Sequence, residues 1–216
     1  MTHEEQGPGP AGTNIAEISR WLASAIEAGE RCVLGVTGAP GAGKSTFAQD
    51  VADRMAGAPI VGMDGFHLAN DHLVGVDLIH RKGAHYTFDA WGFVSLVRRI
   101  SEQGADEVVY APVFDRSIED SIGSALPIAL GDRLVIVEGN YLLLELPPWN
   151  EIRGLLTKCI YLDLDEELRL KRLIDRHIEF GKTPKHARRH VAESDQVNAR
   201  LVAESRHRAD WFVRMQ

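Results

Sequence analysis

The sequence predicts an α/β fold in three layers, in which helices cover both faces of a mostly parallel five-stranded sheet. Three observations predict this fold. Apolar runs of strand length alternate along the chain with segments whose apolar residues recur at helical spacing. A glycine-rich turn joins one of these strands directly to the next helix. Acidic residues follow three of the predicted strands, where the carboxyl ends of parallel strands place ligand-binding groups.

The first half of the chain provides two strands and three helices. Apolar spacing predicts a helix over 14–28, with Asn14 or Thr13 as its N-cap. A strand over 31–37, a helix over 46–55 and a second strand over 59–63 follow. Residues 65–88 have weak periodicity and indicate a long functional loop. Asp89 is placed to cap a helix that continues to about Glu102.

The second half predicts three more strands, over 107–111, 133–137 and 158–163, and helices over about 165–180 and 184–207. The terminal run 210–214 is short enough to be an edge strand. We expect one domain over 13–216, with a helical lid at about 165–190. Residues 1–12 are polar, rich in proline and glycine, and expected to be disordered.

Composition limits the classes of function. The chain has 216 residues and a net charge of −7, which disfavours general nucleic-acid binding. No apolar run approaches the ~20 residues of a membrane span. Cys32 and Cys159 lie within apolar runs, as expected of core cysteines in a reducing compartment. These features predict a soluble cytoplasmic protein without nucleic-acid or membrane partners.

Residues 38–45 read GAPGAGKS, a full match to the phosphate-binding pattern G-x-x-x-x-G-K-[ST]. In this pattern successive backbone amides cradle phosphate oxygens, the lysine reaches the β- and γ-phosphates, and the serine hydroxyl ligates Mg²⁺. A glycine turn without ligand is the alternative, but the flanking strand and helix favour a P-loop NTPase fold that binds ATP and Mg²⁺. The predicted ATP-binding residues are Gly38, Ala39, Pro40, Gly41, Ala42, Gly43, Lys44, Ser45 and Thr46.

The acidic residues after predicted strands are Asp64, Glu138 and Asp163. A kinase needs one acid near Mg²⁺ and a base near the acceptor hydroxyl. We expect Asp64 and Glu138 to converge near the γ-phosphate, and Asp163 to cap a turn.

Five segments follow the P-loop in a fixed order: VGMDGFH at 61–67, RKG at 81–83, TFD at 87–89, APVFD at 111–115 and VEGNYL at 137–142. This ordered set resembles the superfamily of uridine kinase, bacterial pantothenate kinase and phosphoribulokinase. It is most similar to the branch known as "nucleoside/nucleotide kinase" or "fructose transport system kinase". The resemblance covers about residues 30–200.

The resemblance implies roles for individual residues. It implies that Asp64 is the catalytic base, that Asp89 holds acceptor hydroxyls and that Glu138 lies near Mg²⁺. Residues 169–176, RLKRLIDR, match the family's lid pattern R-x-x-R-x-x-x-R, in which Arg172 and Arg176 would clamp phosphates together with the catalytic Lys44. A basic surface stripe on one helix is the alternative.

The acceptor site departs from the patterns of characterised relatives. Residues 114–120 replace the aromatic and histidine residues with which uridine kinases grip the base. Arg116 stands where pantothenate kinases carry histidine. An acid group of the acceptor could be held by Arg81, Lys82 or Arg116, and His67 could contact the acceptor. A metal site built from His67, His72, His80 and His85 is disfavoured by their irregular spacing.

These features predict an ATP- and Mg²⁺-dependent kinase that phosphorylates a hydroxyl of a small molecule, either a sugar, a sugar acid, a pantothenate-like compound or a nucleoside. Two alternatives stay open: a nucleoside monophosphate kinase, and an ATPase switch that acts through a protein partner. The chain has no GTPase-type N-K-x-D sequence. A homodimer is compatible with the sequence.

Overall fold

A parallel five-stranded sheet forms the centre of the computed structural model, which describes residues 12–216. The disordered tail predicted for 1–12 lies, apart from residue 12, outside the described residues. The sheet has the order β2-β5-β1-β6-β7, and every neighbouring pair is parallel. Its strands are β1 (Cys32–Gly38), β2 (Ile60–Gly62), β5 (Leu134–Glu138), β6 (Lys158–Asp163) and β7 (Trp211–Arg214), while β3 (Val109–Asp115) and β4 (Asp120–Ile128) lie outside it.

Eight α-helices connect these strands within the described residues: α1 (Ile15–Glu27), α2 (Lys44–Arg54), α3 (Asn70–Gly75), α4 (Ala90–Ser101), α5 (Ile152–Leu155), α6 (Glu166–Glu179), α7 (Pro184–His190) and α8 (Gln196–Glu204). Asn14 caps α1 and Asp89 caps α4, through side-chain oxygens that accept backbone N–H groups, as their positions predicted.

Two apolar clusters bury the two faces of the sheet, which gives the predicted three layers. Because successive side chains of a strand point to opposite faces, Leu34 and Val36 of β1 contribute to one cluster and Val33 to the other. Helices α1 and α2 cover the first face. Helices α4 and α8 cover the second, where Trp149 is almost completely buried.

The strand predicted over 107–111 was wrongly placed in the central sheet. Strand β3 pairs with β4 as a separate antiparallel hairpin, and β7 supplies the fifth central strand instead. The reason is visible in β3 itself, where Tyr110 is exposed and Pro112 has no N–H to donate. Strand β1, which is buried on both faces, contains no exposed residue and no proline.

The helix predicted over 184–207 is not continuous. A π-helical turn, Val191–Asp195, separates α7 from α8. The long loop predicted over 65–88 contains α3 and a 3₁₀ turn, Ile79–Arg81, and its first residues belong to another 3₁₀ turn, Met63–Phe66. π-helical turns such as Val191–Asp195 occur often at functional sites.

Within residues 12–216, no helix combines the length and the apolar character needed to cross a bilayer.

Gly65 tests how the hairpin is attached to the sheet. A β-carbon at Gly65 would lie 2.6 Å from the carbonyl oxygen of Pro112, so main chain of β3 or of the 63–66 turn must move. We expect Gly65→Ala to lower the free energy of unfolding by about 1–3 kcal/mol, the usual cost of overpacking. Urea unfolding measures it. Gly154→Ala is the matched control, since no atom lies within 4 Å of its new β-carbon; equal stabilities of the two variants would contradict the contact.

Candidate active site

A cavity of about 890 Å³ opens at the carboxyl edge of the central sheet. The parallel register brings the ends of β1, β2 and β5 together at this edge. The P-loop forms one end of the cavity, the β3–β4 hairpin forms the other, and α6 with the following turns lies across both.

The P-loop has the backbone conformation that its glycines predicted. Gly38, Gly41 and Gly43 have φ values of 152°, 83° and 89°, a region that other residues rarely adopt. The Lys44 ammonium donates to the carbonyl oxygens of Gly38 and Ala39, at 3.1 and 3.2 Å. Burial lowers the pKa of Lys44 to about 8, although Glu138 and Asp64 oppose this shift. Lys44 therefore lies folded against the loop as an enclosed cation.

Ser45 and Glu138 lie together beside the P-loop. The Ser45 hydroxyl donates to Glu138 Oε1 at 3.2 Å. Burial raises the pKa of Glu138, and the nearby Asp64 adds to the rise, while Lys44 lowers it. A hydroxyl and a carboxylate with this spacing form an oxygen donor set of the kind that Mg²⁺ prefers, so these residues fit the predicted metal.

Asp64 lies at the middle of the cavity, between the P-loop and the hairpin. Its carboxylate is 3.4 Å from an Nη of Arg116 and 3.8 Å from Nε2 of His67. His67 stacks on Phe88 with ring centroids 4.0 Å apart. Burial lowers the pKa of His67 to about 4, despite the neighbouring Asp64 carboxylate. His67 is consequently a neutral hydrogen-bonding group that faces the same space as Asp64.

Three arginines of α6 have different surroundings. Arg169 is buried; it donates to the carbonyl oxygen of Pro40 at 3.2 Å and to the side-chain oxygen of Gln196. Arg172 and Arg176 line the cavity, and Arg172 also donates to the carbonyl oxygen of Gln216 at 2.9 Å. The two predicted phosphate clamps thus face the cavity, and Arg169 joins the P-loop to α6 and α8.

Lys82 and Phe114 form the hairpin end of the cavity. The Lys82 ammonium donates to Asn70 Oδ1 and to the Glu119 carbonyl oxygen, both at 2.7 Å, and lies 5.0 Å from the centre of the Phe114 ring. These bonds connect the loop before α4 to the turn of the hairpin.

Two of the predicted acceptor residues do not line the cavity. Asp89 accepts the Gly92 N–H at 2.8 Å as a helix cap. Arg81 donates to Tyr86 Oη and to the Glu193 carbonyl oxygen. The structure therefore brings Asp64, His67, Lys82 and Arg116 together at the acceptor end, and leaves Asp89 and Arg81 outside it.

Sequence reasoning missed part of the lining. The additional residues lie on the segment from α6 to α8 and are His177, Phe180, Lys182, His190, Asp195 and Asn198. The signal available for them in the sequence was the basic character of residues 169–208, which hold 11 Lys or Arg against 5 Asp or Glu. Among the described residues, the four histidines of 67–85 form no metal-ligating group.

Comparison with known proteins identifies relatives along most of the chain. Residues 33–201 match the model of the phosphoribulokinase/uridine kinase family. The ATP-dependent kinase-like protein notR' of Aspergillus versicolor is 34% identical over 152 residues, which are 67% of this chain and 88% of that protein. Protein C227.14 of Schizosaccharomyces pombe, provisionally described as a uridine kinase, is 34% identical over 80% of this chain and 78% of its own length.

A solved structure shows the same architecture. A crystal structure from Silicibacter sp. TM1040, provisionally described as a fructose transport system kinase, superimposes with a TM-score of 0.83 and 31% identity. The superposition covers 93% of this chain and 99% of that one.

Arg169 tests the connection between the P-loop and α6. Replacing it by methionine keeps the volume but leaves the Pro40 carbonyl and the Gln196 side chain without their donor. We expect Arg169→Met to lower the free energy of unfolding by about 1–3 kcal/mol, the cost of an unsatisfied buried group, as measured by urea unfolding. Arg172→Met is the control, because Arg172 is exposed and should change stability by no more than about 0.5 kcal/mol. A larger loss of unfolding free energy in Arg172→Met than in Arg169→Met would contradict the role of Arg169 as the connection between the P-loop and α6.

Proposed function

The chain belongs to the phosphoribulokinase/uridine kinase family, and on this premise we propose that it is an ATP- and Mg²⁺-dependent kinase that phosphorylates a hydroxyl of a small metabolite. One observation carries the proposal: a single cavity contains the P-loop lysine at one end and Asp64, flanked by polar groups, toward the other. The family accounts for the use of ATP. The identity of the reaction rests on what the residues of the cavity can do.

The P-loop end is suited to a triphosphate. The backbone amides of 38–45, the N-terminus of α2 and the Lys44 ammonium all present positive charge to the same space. When bound between the nucleotide and the oxygens of Ser45 and Glu138, Mg²⁺ would neutralise phosphate charge and fix the phosphate geometry. Arg172 and Arg176 lie above this space, where their planar guanidinium groups can hold oxygens of the transferring phosphoryl.

Asp64 is suited to the role of base. It lies in the 3₁₀ turn that directly follows β2, so the end of the strand positions its main chain, and its carboxylate is partly solvent-accessible. Arg116 at 3.4 Å restrains one carboxylate oxygen. The other is left to orient the acceptor hydroxyl and take its proton as the phosphoryl is transferred.

We infer that the acceptor is a polyhydroxylated or carboxylated metabolite rather than a nucleoside. Charged and polar groups surround the space next to Asp64, and Lys82 and Arg116 are available to an acid group. Phe114 and Phe88 do line this end, but each already packs against a protein side chain: Lys82 lies over Phe114, and His67 stacks on Phe88. A base would have to displace these contacts.

Two other functions compete with this proposal. A nucleoside monophosphate kinase would use Lys82 and Arg116 for the phosphate of its acceptor. An ATPase switch would need neither Asp64 as a base nor an acceptor. A cytoplasmic location, and assembly as a homodimer, are compatible with the proposal and not required by it.

Acceptor-stimulated release of ADP tests the proposal. Sugars, sugar acids, pantothenate, nucleosides and nucleoside monophosphates are screened in a coupled assay with Mg²⁺ and ATP. A kinase releases ADP faster with one acceptor class, whereas a switch hydrolyses ATP at one slow rate throughout. Efficient phosphorylation of uridine or cytidine would refute the acceptor class while leaving the kinase proposal intact.

Lys44 tests the nucleotide end. We expect Lys44→Ala to abolish turnover, because the Lys44 ammonium is the positively charged group of the P-loop that contacts the β- and γ-phosphates. The fold should be retained, since the side chain at the first position of α2 belongs to neither apolar cluster. Steady-state kinetics measure the loss and circular dichroism checks the fold. Turnover equal to the parent protein would overturn the P-loop assignment.

Asp64 tests the acceptor end. Asparagine keeps the shape of the side chain but cannot accept the proton, so Asp64→Asn should slow transfer by ~10²-fold or more while ATP binding is preserved. Separate measurement of kcat and of ATP affinity distinguishes the roles. If ATP affinity collapses and residual transfer stays high, Asp64 serves the metal rather than the acceptor.

A further inference from the structure

Among residues 12–216, two half-buried ammonium groups at the acceptor end, those of Lys82 and Lys182, have no ion-pair partner. Lys82 donates to the neutral oxygens of Asn70 and Glu119 described above. Lys182, between α6 and α7, lies 3.1 Å from Nδ1 of His177. Among residues 12–216, neither ammonium is within ion-pair distance of a carboxylate. Charge withdrawn from water without a counter-ion is unfavourable, so such groups are suited to an anionic ligand.

A hydrogen-bonded relay holds Lys182 in place. An ammonium can only donate, so Nδ1 of His177 accepts its bond and Nε2 of the same ring carries the proton. Nε2 lies 2.8 Å from Oδ2 of Asp195, which accepts that proton's hydrogen bond. Asp195 is itself buried, at the end of the π turn. The relay Asp195–His177–Lys182 thus aims the ammonium into the cavity.

The surroundings of Lys182 place it at the acceptor end. Burial lowers the pKa of Lys182; Asp195 opposes this shift, Arg176 adds to it, and Glu119 of the hairpin turn also opposes it. Burial likewise lowers the pKa of Lys82, which Glu119 opposes most strongly. Contacts agree with this position: Lys82 donates to the Glu119 carbonyl oxygen in the hairpin turn, and Arg116, beside Asp64, lies 6.0 Å from the centre of the Phe180 ring, two residues before Lys182.

Two residues of the relay, His177 and Asp195, form with His190 a group that has the spacing of a metal site. The hydrogen bonds of the relay favour an anionic ligand instead. Ligand atoms of His177, His190 and Asp195 lie within 4.8 Å of one another. In the relay, both nitrogens of His177 are engaged, one by a donated proton and one by an ammonium. A metal cation would have to displace Lys182 and lie beside its positive charge.

We propose that Lys82 and Lys182 form a second anion-binding subsite, separate from the triphosphate subsite, which holds an acid group of the acceptor while Asp64 faces its hydroxyl. The acid group is a carboxylate or a phosphate. Lys182 contacts it directly, and His177 and Asp195 are positioning residues. This inference rests on the proposed kinase function, and it makes the lid part of acceptor recognition.

Binding of acids to the nucleotide-loaded protein tests the subsite. The protein is saturated with Mg²⁺ and a non-hydrolysable ATP analogue, and acids are titrated calorimetrically against their neutral counterparts. The carboxylate pairs are D-glycerate with glycerol, gluconate with glucose, and pantothenate with pantothenol. The phosphate pairs are glycerol 3-phosphate with glycerol, and fructose 6-phosphate with fructose. We expect at least one acid to bind ~10-fold or more tightly than its neutral partner, a preference of the size of one charge-assisted bond.

Substitutions assign that preference to Lys182. Lys182→Met should remove it, Lys182→Arg should restore part of it, and Lys185→Met, an exposed lysine of α7 that does not line the cavity, should leave it unchanged. Asp195→Asn should weaken acid binding without removing it, because the ammonium remains but the imidazole is less firmly held. Affinity for the ATP analogue should stay within ~2-fold of the parent protein in all four variants.

Three results would overturn the subsite: no acid of either class binds, neutral partners bind as tightly as the acids, or Lys182→Met lowers the affinity for the ATP analogue and not that for the acid. Measurement of turnover distinguishes a failure of the subsite proposal from a failure of the kinase proposal. Acid binding that depends on Lys182 without phosphoryl transfer would refute the kinase and keep the subsite. Transfer to a neutral acceptor, unaffected by Lys182→Met, would refute the subsite and keep the kinase.

Discussion

The parallel pairing of β2, β5 and β1 is the constraint on which the site depends. Val61 pairs with Val137, and Val137 with Gly35, so the three strands end at one edge of the sheet. That register brings together the P-loop, Asp64 and Glu138, which are spread along the chain from residue 38 to residue 138. A slip of one residue in any pair would turn the buried side chains of that strand to the opposite face. Burial of both sheet faces therefore fixes the strand register, and with it the relative positions of Asp64, Glu138 and the P-loop.

The segment from α6 to α8 completes the cavity from the other side with positive charge. Arg169 fastens α6 to the P-loop, and Arg172 and Arg176 extend from the same helix over the phosphate end. The π turn then directs Asp195 back toward α6, where it holds His177. One continuous stretch of chain thus reaches both the nucleotide end and the acceptor end of the cavity.

Local patterns made most of the scaffold predictable. Asn14 and Asp89 were identified as caps because capping is decided within a few residues, and Asp64 and Glu138 because they follow apolar strands directly. The hairpin was misplaced because strand pairing depends on distant segments; the unpredicted β4 is the partner that removes β3 from the central sheet. The relay was missed for a similar reason. His177 and Asp195 are 18 residues apart and meet only because a π turn separates α7 from α8.

The fate of the γ-phosphoryl group tests the central claim most directly. The protein is incubated with Mg²⁺, ATP labelled in its γ-phosphoryl and a mixture of small hydroxyl-bearing metabolites, and the labelled products are separated and identified by mass spectrometry. A kinase with Asp64 as its base places the label in a phosphate ester on an acceptor oxygen, and Asp64→Asn removes that product. Label found exclusively in inorganic phosphate, whatever the metabolites supplied, would contradict phosphoryl transfer and identify the protein as an ATPase.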